Sequence, residues 1–190
     1  EIHRTEVSMS QYQSCIDEGA CTAPSGDSFT PDGTPDRPVT AVTFSQAQAY
    51  CAAVGGTLPT EAQWEKACRG TTGQTYPWGD TEPPCTEANT SGCSGAPVEV
   101  QSLPAGASPY GALHMSGNVW EFTADWYAEG TYATHNGPDP AGPVSGTTRT
   151  ARGGSSGNQP SLSRCSNRSD AYIPTVGCSG LGFRCARVGP

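Results

Sequence analysis

Three stretches of the chain alternate apolar and polar positions with helical spacing. The first opens at Ser8-Met9-Ser10-Gln11, a capping-box pattern, and places Tyr12, Cys15 and Ile16 on one face before Gly19. The second is expected to start at Ser45, with Phe44 as a hydrophobic staple; it carries Ala47, Tyr50, Cys51 and Val54 and stops at Gly55-Gly56. The third has a second capping box, Thr60 with Gln63, then Trp64, Ala67 and Cys68, and ends near Gly70. Extended segments are expected at Val39–Thr43, at Val119–Tyr127 with its four aromatics, and at Leu181–Val188. Residues 22–38, most of 71–118, 128–150 and the polar stretch that follows Arg152 read as loop. Tyr76-Pro77-Trp78-Gly79-Asp80 reads as an aromatic turn. Helices and short strands joined by long loops predict an α+β fold in a single domain over residues 1–190.

Composition sharpens this picture. Twenty-four glycines and 17 prolines exceed a fifth of the 190 residues, which excludes a helical bundle and favours a loop-rich fold. Ten Lys and Arg against 18 Asp and Glu give a net charge of −8, which argues against a nucleic-acid partner. No apolar run is long enough to insert in a membrane. Nine cysteines, none in a CxxC pair or at zinc-ligand spacing, point to disulfides and an oxidising compartment, so the chain is expected to be secreted, periplasmic or on the cell surface. Cys15 and Cys21 flank the end of the first helix, and Cys85 and Cys93 bracket a polar loop. The odd count leaves at least one thiol free or paired outside this chain.

A series of short motifs then carries a resemblance. Arg37-Pro38-Val39, Ala49-Tyr50-Cys51, Leu58-Pro59-Thr60-Glu61-Ala62-Gln63-Trp64-Glu65 and Tyr76-Pro77-Trp78-Gly79 come first. Met115-Ser116-Gly117-Asn118-Val119-Trp120-Glu121-Phe122, Arg152-Gly153-Gly154-Ser155 and Gly182-Phe183-Arg184 follow in order. Together they resemble the formylglycine-generating enzyme (sulfatase-modifying factor) family, over nearly the whole chain. The resemblance implies a variant of the C-type lectin fold. Family enzymes oxidise a sulfatase cysteine to formylglycine with copper(I) and oxygen. Other members are sulfoxide synthases, kinase-attached sensory domains, and ligand-displaying variable proteins of diversity-generating retroelements.

The resemblance also makes expectations about individual residues. The oxidases hold copper(I) with two cysteines five residues apart, shortly after the GGS motif; here Asn158 stands at the first of these positions, and no copper is expected. The sulfoxide synthases use three histidines on iron, usually from a separate helical domain; His3, His114 and His135 have no paired spacing. Equivalent cysteines in the family imply Cys51–Cys185 and Cys68–Cys165 bonds, with Cys15–Cys21 and Cys85–Cys93 as local staples and Cys178 left over. A calcium site of the family maps onto His114, Gly117, Val119 and Glu121, with histidine where Asp or Asn is usual. In the variable proteins the span between GGS and GFR forms the ligand face. Here that span holds Ser155, Ser156, Asn158, Ser161, Ser163, Asn167 and Tyr172, short polar side chains with a tyrosine, as suits an adaptable binding surface. Trp120 is expected beside it. The resulting expectation is a non-catalytic recognition domain for a protein or peptide ligand. The alternatives are a copper-dependent formylglycine-generating oxidase and a retroelement variable protein.

Overall fold

The computed structural model describes residues 1–25, 28–133 and 137–187. Three helices precede a small sheet. Helix α1 spans Met9–Asp17, α2 Phe44–Ala53 and α3 Glu61–Arg69. Strands β1 (Trp120–Trp126), β2 (Arg149–Arg152), β3 (Arg168–Tyr172) and β4 (Leu181–Gly182) form one sheet in the order β3-β2-β1-β4. β1 and β2 are antiparallel, as are β2 and β3, whereas β4 runs parallel to β1. The architecture is α+β, as the patterning predicts.

Each helix starts where a hydroxyl and a glutamine satisfy its first free N–H groups. The boxes Ser8/Gln11 and Thr60/Gln63 form as expected. The second helix begins earlier than expected. Its cap is Thr43, whose Oγ1 accepts from the Gln46 N–H at 3.3 Å, while the Thr43 N–H donates to Gln46 Oε1 at 2.8 Å. Phe44 therefore lies inside α2 and not before it. That start buries its ring edge-on against Phe122, with centroids 5.6 Å apart.

The strand predictions need three corrections. Val39–Thr43 does not pair in the sheet: Val39 N–H donates to Val7 O, and Ala41 then turns through a positive φ of 59°. The closing segment contributes only Leu181–Gly182 to the sheet. Beyond it, Phe183 and Cys185 accept from Val7 and His3, so the end of the chain pairs with its beginning; Val188 lies outside the described residues. β2 and β3 arise in spans that read as loop. Their arginines leave them without apolar alternation, although Ala151 reaches the core. Arg149 lies between the rings of Phe44 and Trp126, at 3.9 and 3.5 Å from their centroids. Arg152 is fully buried and pairs with Glu65. Arg168 binds both oxygens of Glu61, at 2.5 and 2.8 Å. These pairs tie β2 and β3 to α3.

All four expected disulfides are present: Cys15–Cys21, Cys51–Cys185, Cys68–Cys165 and Cys85–Cys93. The two long-range bonds join residues 134 and 97 positions apart. In the chain-entropy account each limits the unfolded chain by about 5 kcal/mol. The main core groups Tyr12, Tyr50, Phe122 and Phe183, with the Cys51–Cys185 bond inside it. A smaller core surrounds Trp64 and the Cys68–Cys165 bond.

Candidate functional site

The turn before β1 and the strand itself carry most of the buried polar chemistry. Gly117 has φ +82°, and a Cβ there would lie 2.4 Å from Asn89 O, so only glycine fits this approach. The chain then passes Asn118, whose side-chain amide donates to both Glu6 oxygens at 3.1 and 3.0 Å. Its Oδ1 accepts from Val98 N–H at 2.8 Å. Burial, then the neighbouring Glu121, holds the Glu6 carboxyl well above the usual carboxylate range.

Glu121 points into the interior. Its Oε2 accepts from Trp64 Nε1 at 2.8 Å and from Arg184 Nε at 2.6 Å; its Oε1 accepts from Arg184 Nη2 at 2.6 Å. Arg184 also donates to the carbonyls of His3, Arg4 and Leu113. The guanidinium thus supplies the positive charge that the Glu121 carboxylate needs. His114 Nε2 lies 3.2 Å from Glu99 O and 3.3 Å from Ser102 Oγ, and its Nδ1 is buried with no partner. With Nε2–H donating to the carbonyl, the imidazole is neutral. Burial, reinforced by Arg184, lowers its pKa to about 4. His114, Gly117, Val119 and Glu121 therefore do not fit a calcium ion: the one carboxylate is taken by cationic and N–H donors, and the histidine offers nitrogen to a cation that seeks oxygen. No three acidic, histidine or cysteine side chains converge on a metal position among the described residues.

A pH dependence follows. His114 has a pKa of 6.5 when exposed and about 4 in the fold, so the folded state binds fewer protons. Its contribution to stability is full above pH 6.5 and is lost as the pH falls towards 4, a change of about 3 kcal/mol. Glu6 acts in the opposite sense, its contribution falling as the pH rises. His114→Asn, which tolerates the local φ of +55°, is expected to flatten the loss of stability between pH 6.5 and 4 in denaturant titrations with EDTA. An unchanged pH slope would contradict this assignment.

The expected ligand face is only partly assembled. Asn158 Oδ1 accepts from Trp120 Nε1 at 2.8 Å, from Ser155 N–H at 3.0 Å and from Ser155 Oγ at 2.8 Å. Trp120 in turn lies 6.3 Å from the Tyr172 ring. Trp120, Ser155, Asn158 and Tyr172 thus form one connected set. Ser161 is exposed on the short turn Pro160–Ser163, and Asn167 binds back to Leu162 O. Ser156 and Ser163 are not on the face. Both are buried; Ser163 Oγ donates to Pro160 O, and Ser116 Oγ donates to the Ser163 carbonyl. Serine carries no sequence signal for burial of this kind. Three residues that the reading of polar side chains missed belong to the same span: Leu162, Ile173 and Val176 are 40, 54 and 51% exposed. Aliphatic residues in a polar stretch are the signal that was there to find.

Eight of the nine cysteines are bonded, and Cys178 alone keeps a thiol. It is half-buried against the main core, near enough to Tyr172 to help burial raise that phenol's pKa. His135 lies outside the described residues, and His3 and His114 each sit in backbone surroundings of their own.

The GGS, GNVWE and GFR motifs thus occupy the centre of the molecule, and comparison with known proteins accounts for them. Residues 1–188 match the sulfatase-modifying factor enzyme 1-like domain. The chain belongs to that family. A hercynine oxygenase of Mycolicibacterium smegmatis is 34% identical over 205 residues, covering 88% of this chain and 48% of that protein. A formylglycine-generating enzyme of Bos taurus is 36% identical over 182 residues, covering 86% of this chain and 47% of its own length. The chain therefore spans about half the length of these curated relatives. Among solved structures, Treponema denticola variable protein 1 superimposes with a TM-score of 0.76 at 25% identity, covering 97% of this chain and 82% of that one.

Proposed function

We propose that this chain is a non-catalytic recognition domain of the sulfatase-modifying factor family, secreted, periplasmic or displayed at the cell surface, that binds a protein or peptide ligand. The observation that carries the reading is the fate of the sulfur. Copper(I) chemistry of the family's kind needs two neighbouring thiolates, and this chain has one free cysteine. The position of the first active cysteine holds Asn158, whose amide oxygen is fixed by three donors. An amide in that setting braces the loop against Trp120; it is neither a nucleophile nor a soft ligand. The relatives' oxidase and oxygenase activities belong to proteins about twice as long as this chain.

The ligand face is the surface of Ser155, Asn158, Ser161, Asn167 and Tyr172, with Leu162, Ile173 and Val176 as apolar contacts. Half-exposed aliphatic and aromatic groups among short polar ones combine contact area with adaptable hydrogen bonding. A second reading, favoured by the likeness to a Treponema denticola variable protein, is that this span differs between copies of the gene. Both readings predict the same behaviour. Peptides selected from a random displayed library on the immobilised domain are expected to lose about tenfold or more in affinity on Ile173→Asp. The exposed Arg4→Glu control is expected to leave their affinity unchanged. Selected peptides that bind the Ile173→Asp variant as well as the parent would place the ligand elsewhere.

A further inference from the structure

A second concave site lies away from the 155–176 face and shares no residue with it. It is a cleft of about 540 Å³ where α3 meets the paired first and last segments of the chain. Its volume falls within the roughly 300–1,000 Å³ of small-molecule pockets. The floor is apolar: Ile2, Ala67 and Ala186. It is also rigid. Ile2 and Ala186 form a β-bridge, Ala186 follows the Cys51–Cys185 bond, and Ala67 precedes the Cys68–Cys165 bond. One wall is Tyr110, 56% exposed, an aromatic ring left available to solvent.

The cleft also carries charge. Arg69, Arg152, Arg168 and Arg184 each pair with a carboxylate. Lys66 and Arg187, like Arg4, Arg37 and Arg164, make no ion pair among the described residues, and these two line the same cleft. Lys66 makes no side-chain hydrogen bond or ion pair among the described residues, and Arg187 uses Nη2 on Val54 O at 2.7 Å. Gln63 is already held by Asp139 at 2.7 Å, so it adds little free polarity. Among the described lining residues the Glu1 carboxylate is the one acidic group, so their side chains carry a net positive charge in a chain of net charge −8. Two cations without carboxylate partners, above a preformed apolar floor and beside an open aromatic ring, suit a ligand with one negative end and one apolar body.

We propose that this cleft binds a small amphipathic anion, a carboxylate carried on an aromatic or aliphatic group. The anion lies between Lys66 and Arg187, and its apolar body lies on Ile2, Ala67 and Ala186 against Tyr110. This site is independent of the recognition face and stands or falls separately from it.

The test uses N-acetylphenylalanine as the probe and N-acetylphenylalaninamide as its uncharged counterpart, followed by methyl and backbone NMR shifts. The carboxylate is expected to shift Ile2, Ala67 and Ala186 saturably, and the amide to bind about fivefold or more weakly. Lys66→Gln, an exposed substitution that keeps α3 intact, is expected to weaken the carboxylate about fivefold and to leave the amide unchanged. Raising the salt concentration is expected to weaken the carboxylate selectively. No saturation up to about 10 mM, equal binding of acid and amide, or indifference to Lys66→Gln would each overturn the proposal. Shifts confined to residues 155–176 would overturn it as well, and would assign the probe to the recognition face.

Discussion

Replacing Arg184 by methionine is expected to cost about 3–5 kcal/mol of folding stability. The side chain is fully buried and holds Glu121 through two 2.6 Å hydrogen bonds, with the Glu6 carboxyl also in its field. Its removal leaves the Glu121 carboxylate without a cation and the carbonyls of His3 and Leu113 without a donor, while Arg4 O keeps only the Leu113 N–H. The penalty is for a broken pair, not for the absence of charge. The double variant Arg184→Met with Glu121→Gln is therefore expected to recover part of the loss, because a neutral amide still accepts from Trp64 Nε1. Denaturant titration of the two variants at one pH decides it. A single variant within about 1 kcal/mol of the parent, or a double variant no more stable than the single one, would contradict the role given to the pair.

This cluster shows where sequence reading stops. The helices are legible because their start signals are local: Ser8 with Gln11 and Thr60 with Gln63 lie three residues apart, and one turn decides them. Even so, the second helix starts at Thr43 and not at Ser45. The burial of Phe44 against Phe122, far along the chain, decides between two hydroxyls that are locally alike. β2 and β3 are not legible, since Arg149, Arg152 and Arg168 break any apolar alternation along them. An arginine reads as solvent until its acid is known, and the partner of Arg168 is Glu61, 107 positions away. The long disulfides could be named only from the family resemblance, because spacing alone leaves the pairing of nine cysteines open.

The site was legible in the same uneven way. Trp120, Ser155, Asn158 and Tyr172 do come together, since the motif order places GGS beside the GNVWE strand. Ser156 and Ser163 do not, because a serine side chain is as content under Pro160 O as in water, and its identity says nothing about which it meets. A contact of the same long-range kind stands against the calcium expectation. Arg184 reaches Glu121 across 63 positions and occupies the carboxylate.

The proposal that this member of the family recognises a ligand and does not oxidise one turns on its thiols. The chemistry gives a large contrast, since one thiolate and two differ in kind as a copper(I) site. The direct measurement is a thiol count and copper(I) titration on the native, non-reduced protein, followed by incubation with a cysteine-containing sulfatase-type peptide and oxygen. A recognition domain is expected to show one reactive thiol per chain, assigned to Cys178 by peptide mapping, no tight copper binding, and no oxygen-dependent change in the peptide. Two thiols that bind one copper tightly, with conversion of the peptide cysteine to an aldehyde, would contradict it and make this chain an oxidase.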